Sequence, residues 1–459
     1  MLPQTDLLRQ LLLPNNVSYS PINFVKLMED ISLSYEENIR ADIKEYLEDM
    51  DYRFRYSPHR KERYYVAYTG PRTIICMYGE ITYKRTLYKD RIDGSYYCYV
   101  DEKLGIDKYY RYTNDVACYA TEAYASDNSM ISVGIELGNL IHAKFPLKDN
   151  REYAIPRQTI YNLMKRSKEI RINPSIEKKA VEDIYVLIDE KYLPSHHNES
   201  SHMVKSALIV EGLDKSNKSR HKYMNPQYLS LFQSDNFAQE LLDYLNSHYD
   251  LDYLKHIHVL GDGASWIKNT ANELKCPNTK LTQYLCKFHF SQDLWRLFLD
   301  KPLYSKAIDY LYHNDKEDLY KLFNTIKDES KLSYKNYIKN NYDLIQNSVQ
   351  LKEMNCAMEQ AISHHIHSEF DNVPKVYSKD NLNRYLSYRD NYRNNENMKQ
   401  LFILSLYDKD SKSEKTIINK EIISQKIFDD QKPLPYYSLT LINGKKPMSF
   451  SNSSLTMLI

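Results

Sequence analysis

Apolar positions recur at helical spacing at Phe24, Leu27, Met28 and Ile31, and a Glu-rich amphipathic run follows. Residues 1–60 are therefore expected to be helical. From 61 to 100 the pattern becomes β-branched and Tyr-rich in RTIICMYGEITYKRTLYKD and GSYYCYVDE. Turn signals at Tyr78-Gly79 and Asp93-Gly94 predict a small antiparallel sheet there. Helical spacing returns over 106–172, in NSMISVGIELGNLI and again in AIPRQTIYNLMKRSKEIR, where Pro156 suits a first helical turn. Ile160, Leu163 and Met164 make the apolar face of that second helix.

From 181 the chain alternates in an α/β manner. DIYVLIDE and SALIVEGL are expected strands, and FAQELLDYLNSHYDL a helix. HIHVLGDG follows as a strand, ASWIKNTANELK as a helix and TQYLCKFHF as a strand. This succession matches an RNase H-like mixed sheet. Residues 291–350 carry helical spacing without strand signals and are expected to be a helical insertion, with LKEMNCAMEQAISHHIHSEF as the next helix. Four regions result: a helical and small β-sheet region (1–105), a helical, helix-turn-helix-like region (106–180), a catalytic α/β region (181–405) and a polar tail (406–459) containing Pro433 and Pro435.

Composition narrows this picture only slightly. Hydrophobic residues make up 42% of the 459 positions, enough for a folded chain of two or three domains. The 43 tyrosines against 10 glycines fit an AT-rich coding sequence before any chemistry. With 62 basic and 61 acidic residues the net charge is +1, so any nucleic-acid surface must be a local patch. The six cysteines form no C-x-x-C pair, which argues against a zinc ribbon or a disulfide framework. The N-terminus lacks a basic start and a cleavage site, and nowhere do 18 uncharged apolar residues run together, so neither a signal peptide nor a membrane span is expected.

Two acids follow apolar strand runs directly: Asp189 after Ile184 to Ile188, and Asp262 after Ile257 to Gly261. Acids at the carboxyl ends of parallel strands project into the crevice where α/β sheets bind ligands. Phosphodiester attack needs a deprotonated nucleophile, neutralised phosphate oxygens and a stabilised leaving oxygen, and two metal ions supply all three. Mg²⁺ asks for few protein carboxylates. An acid at a strand end can equally be a cap or turn residue, and spacing alone leaves both open. His364, His365 and His367 do not share one helical face, so they make no metal trio.

The strings YVLIDE (185–190), LGDGASWIK (260–268), CKFH (286–289) and CAMEQAISH (356–364) closely resemble bacterial insertion-sequence transposases of the ISLre type. YGEITYKRTLYKD (78–90), DEKLGIDKY (101–109) and IPRQTIYNL (155–163) extend the likeness over about residues 45–405. These are DDE enzymes with an RNase H-like core. The resemblance implies a catalytic and metal-binding triad of Asp189, Asp262 and Glu359, holding two Mg²⁺ or Mn²⁺ ions. It implies cleavage at element ends and transfer of the 3′-hydroxyl into target DNA, by a homo-oligomer in a synaptic complex on the bacterial nucleoid in the cytoplasm. CKFH resembles a C/D-x-x-H signature, which makes His289 a site-adjacent candidate, with a hydrogen-bonded structural histidine as the plain alternative. Lys268 is a second site-adjacent candidate, able to reach a phosphate or to sit solvated on its helix. Cys286 stands where the family commonly has Asp, and Gln360-Ala361 where it has Gly-His.

Basic residues interleave with tyrosines at 52–65 and 157–179. In the second patch Arg157, Gln158, Thr159, Tyr161, Lys165 and Arg166 are the expected DNA contacts of a recognition helix. An amphipathic helix with a solvated basic face fits the same pattern. Two further functions remain open: an RNase H-like endonuclease without strand transfer, and a non-enzymatic DNA-binding protein derived from a transposase.

Overall fold

The computed structural model describes residues 24–126, 129–141, 154–173, 178–193, 202–216, 222–232, 235–351, 354, 379–407 and 415–419. Helix α1 (Phe24–Tyr56) is long, and the short α2 (Pro58–Arg63) follows it. Strands β1 (Tyr64–Cys76) and β2 (Gly79–Asp90) then pair as a hairpin, extended by β3 (Tyr96–Tyr97), as the alternation predicts. The buried face of α1 is not the one expected from its start. Phe24 and Met28 are exposed, while Leu47 packs on Ile74, Ile81 and Tyr83, because only the later turns of α1 lie over the hairpin. Buried Asp51 accepts a hydrogen bond from Thr86 Oγ1 at 2.6 Å, fixing helix to sheet.

After α3 (Tyr99–Lys103), helices α4 (Asn114–Ala125), α5 (Met130–Leu140) and α6 (Arg157–Met164) pack on one another. Ile155 donates its N–H to Gly134 O at 2.8 Å, and a Cβ on Gly134 would lie 2.3 Å from Ile155 O, so this crossing requires glycine. Ile160, Leu163 and Met164 are buried as the pattern predicts. The helix does not run on to Arg171, however. It ends at Met164, and Glu169–Asn173 forms strand β4. β4 pairs in parallel with β12 (Lys415–Asn419), so the polar tail expected after 406 returns to the body at that point.

Among the described residues, five strands form one mixed sheet in the order β11-β10-β5-β6-β9. β5 (Asp183–Leu193), β6 (His202–Val210) and β9 (Gln227–Phe232) pair antiparallel in that order, whereas β10 (His256–Gly261) and β11 (Lys280–Leu285) run parallel to β5. Two short strands, β7 (Leu213–Asp214) and β8 (Lys222–Tyr223), pair between β6 and β9. Both faces of the sheet are covered, which explains the unbroken apolar run of β5. Ile184, Val186 and Ile188 pack against α7 (Phe237–His248) and α8 (Ser265–Glu273). Tyr185 and Leu187 share the opposite core with Val116, Val133 and Ile160 of the three-helix unit.

Strand β11 stops at Leu285, and the following KFHF segment, expected as strand, opens helix α9 (Lys287–Phe298). Cys286 makes the last ladder bond, its N–H to Gly261 O at 2.7 Å, before the chain turns. α9, α10 (Lys301–Tyr312), α11 (Lys316–Asn324), α12 (Leu332–Asn340) and α13 (Tyr342–Gln350) close around Leu294, Leu297, Leu311, Phe323 and Ile345. This is the helical segment that spacing predicted, begun four residues earlier. α14 (Lys379–Arg393) and α15 (Met398–Tyr407) complete the described helices, none of which is long and apolar enough to cross a membrane.

α14 closes two sheet edges with polar side chains. Asn383 Oδ1, Asp390 Oδ2 and Asn394 Oδ1 accept from the backbone N–H groups of Phe232, Ser230 and Tyr228 on β9. On β4, Ser387 Oγ accepts from Ile170 N and Asn391 Nδ2 donates to Ile170 O. An edge that would otherwise bury or expose unpaired backbone groups is thereby satisfied.

Candidate active site

Strand β5 runs through Asp189 to Leu193, so Asp189 lies within the strand and not beyond its end as the apolar run implied. The parallel ladder with β10 nevertheless stops at Leu187 and Leu260, because the chain leaves the sheet after Gly261. Asp189 therefore stands at the mouth of the opening that Asp262 enters from the next strand. Gly261 makes the close approach possible: a Cβ there would be 3.2 Å from Ile188 O and 2.9 Å from Ile267 Cγ2. Gly263, at φ +86°, turns the chain into α8, and a Cβ on it would be 2.8 Å from Asn341 Oδ1.

Backbone groups hold both carboxylates. Asp189 Oδ1 accepts from Glu190 N and Asp262 Oδ1 from Ala264 N, each at 2.8 Å. Neither Oδ2 has a hydrogen-bond partner among the described residues. Burial pushes the Asp189 carboxyl up to about 6, and the nearby Asp262 charge pushes in the same direction. Two half-buried carboxylates that repel each other are a donor set that a divalent cation would neutralise.

His289, on the first turn of α9, joins the same electrostatic cluster. Its hydrogen bond with the Cys286 side chain raises the imidazole to about 9, with Asp189 and Asp262 adding to the rise. Helix α12 contributes Tyr337, whose hydroxyl donates to Asp262 O at 2.6 Å. Burial raises the Tyr337 phenol well above its ordinary range, so it remains a donor. Tyr337 was not singled out from sequence. It is one tyrosine among 43, and only the packing of α12 brings it to the site.

The remaining candidates divide. Lys268 lies half-buried on α8, one turn beyond its first residues. Trp266, beside it, packs edge-on to Phe237 at 5.7 Å and under Lys205 at 5.0 Å, as a residue of the core rim. Glu359, with Cys356 and Ser363, lies outside the described residues. On α6, Arg157, Gln158 and Lys165 are exposed and Thr159 is half-buried. Tyr161 and Arg166 are instead engaged internally. Asn381 Nδ2 donates to the Tyr161 hydroxyl at 2.7 Å, and the Arg166 guanidinium donates to Tyr112 O at 2.6 Å while lying 4.2 Å over Tyr110. Arg166 is thus withdrawn from the surface that a helix reading DNA would present.

A protein of Caldanaerobacter subterraneus subsp. tengcongensis is 25% identical to this chain over 378 residues, covering 79% of this chain and 76% of its own length. Its name, "UPF0236 protein", joins eleven locus designations of that genome. A second protein of that organism, named for four loci, is 23% identical over 378 residues, with coverage of 79% and 76%. A "UPF0236 protein in vanSb 3'region" of Streptococcus gallolyticus is 23% identical over 289 residues, 60% of this chain and 61% of its own. Among solved structures, a chain of the simian T-cell lymphotropic virus intasome in complex with PP2A regulatory subunit B56 gamma aligns at 7% identity. It covers 38% of this chain and 59% of that one with a TM-score of 0.14, a likeness too small to bear on fold. The family profile described as UPF0236, an uncharacterised protein family, matches residues 19–392, and the chain belongs to that family.

Proposed function

We propose that this chain is a DNA transposase of the DDE type with an RNase H-like core. The observation that carries the proposal is the convergence of Asp189 and Asp262 where two adjacent parallel strands part, each with one carboxylate oxygen held by backbone and the other unpartnered among the described residues. The order of three antiparallel strands followed by two parallel strand–helix units supports the RNase H-like fold. The relatives support mobility: a name that joins eleven loci of one genome describes what repeated insertion of an element would leave behind.

Asp189 and Asp262, with Glu359 as the third acid by resemblance, would hold two divalent cations. Bound there, Mg²⁺ or Mn²⁺ supplies a polarised nucleophile and neutralises the phosphate. Tyr337 holds the Asp262 backbone, and Gly263 lets the loop turn without strain. His289, whose imidazole is pushed up by the Cys286 side chain with Asp189 and Asp262 adding to the rise, sits beside the acids and can meet a phosphate oxygen. Arg157, Gln158 and Lys165 offer a polar surface for the element ends, Lys268 offers a cation near the site, and the working form is a homo-oligomer on nucleoid DNA in the cytoplasm. Incubation of the purified chain with Mg²⁺, labelled element ends and a supercoiled target tests this. Joined product supports a transposase, whereas cleavage without joining identifies an endonuclease and end binding alone a DNA-binding protein.

A further inference from the structure

At the opposite end of the same strands a second cluster of ligating side chains gathers. His256 and His258 alternate along β10 and so share one face, and parallel pairing sets Asp183 directly beside His256. Asp183 Oδ1 lies 3.3 Å from His256 Nδ1 and 3.2 Å from His258 Nε2. One donor atom from each of the three residues falls within 4.8 Å of the others. Asp189 lies six residue steps along β5 from Asp183, about 20 Å of extended chain, so this cluster is not part of the acidic site.

We propose that Asp183, His256 and His258 form a site for one Zn²⁺-class ion, with its remaining position open to solvent. Four ligands about 2.0–2.1 Å from a tetrahedral ion stand about 3.3 Å apart, which is the spacing of the carboxylate oxygen from each imidazole nitrogen. Two imidazoles and one carboxylate suit a borderline ion better than Mg²⁺, which prefers oxygen. His258 is oriented as metal-bound histidines usually are. Its other nitrogen, Nδ1, is 2.8 Å from the Tyr284 hydroxyl, and Tyr185 stacks on the ring at 4.4 Å and 12°. The site stays half open, with Asp183 43% and His256 35% exposed in their side chains, so an ion can enter from solvent.

The full chain carrying Asp189→Asn and Asp262→Asn, which removes the acidic site as a competitor, is titrated with Co²⁺ and the visible absorption followed. Zn²⁺ is then added in competition, in excess Mg²⁺. One equivalent of Co²⁺ should bind with the intense band of a tetrahedral ion and be displaced by Zn²⁺. In that background His256→Asn should weaken binding by about 100-fold and Tyr284→Phe by about tenfold. His256 is a surface ligand, so its variant tests the site even if His258→Gln does not fold. Absence of the band, or unchanged affinity in the His256→Asn protein, overturns the proposal and leaves the transposase proposal untouched.

Discussion

Asp189 and Asp262 differ in how their surroundings prepare them, although the proposed chemistry asks for both. Burial pushes Asp189 up to about 6, so its charge is costly without a cation, while Asp262 is tied through its own backbone to Tyr337. Asp189→Asn or Asp262→Asn should each lower strand cleavage by about 100-fold or more, with end binding in a gel shift unchanged within about twofold. Tyr337→Phe removes a single hydroxyl donor. It should cost about 1 kcal/mol in urea unfolding and reduce the cleavage rate without abolishing it. A Tyr337→Phe protein with unaltered stability and rate would remove the tyrosine from the site. The two aspartates were legible in sequence because an acid after an apolar run marks the end of a buried ladder. Tyr337 was not, since 75 residues separate it from Asp262 and no local pattern distinguishes it. The setting of Arg166 is not legible in sequence, because a basic residue on an amphipathic helix reads as surface, whereas a carbonyl and a tyrosine ring from a distant segment hold its guanidinium.

Helix α14 is the element that sequence spacing could least reveal. Its Asn383, Ser387, Asp390 and Asn391, with Asn394 just past its end, are polar because they replace backbone partners along two strand edges. A hydrophobic period cannot find such a helix. Strand β9, the edge it covers, was missed as well, while β5, β10 and β11 were found from their apolar runs. Asp390 is the centre of this arrangement: it accepts from Ser230 N at 2.7 Å and from Arg171 Nη1 at 3.1 Å, and it is 2% exposed. Asp390→Ala would leave a largely buried guanidinium with Glu169 as its remaining acid and a backbone N–H unpaired. The expected loss is about 3 kcal/mol or more by urea unfolding. A loss below about 1 kcal/mol would mean that solvent already reaches this edge.

Across the whole molecule, helices α9 and α12 bring His289 and Tyr337 to the place where β5 and β10 part and Asp189 and Asp262 lie. Binding of element ends and chemistry on them should therefore separate. Chelation with EDTA should abolish cleavage while leaving end binding intact, and end binding should fall steeply between 50 and 200 mM salt as phosphate contacts are screened. Loss of end binding on chelation would instead make the metal structural. The central claim is most directly tested on a plasmid carrying the chain's own gene with its flanking DNA, incubated with purified protein, Mg²⁺ and a supercoiled target. A DDE transposase gives cleaved ends joined to the target through their 3′-hydroxyls, and Asp189→Asn gives neither cleaved nor joined product. Joining at full rate by the Asp189→Asn protein would contradict the site, and cleavage by the wild-type protein without any joining would contradict the transposase.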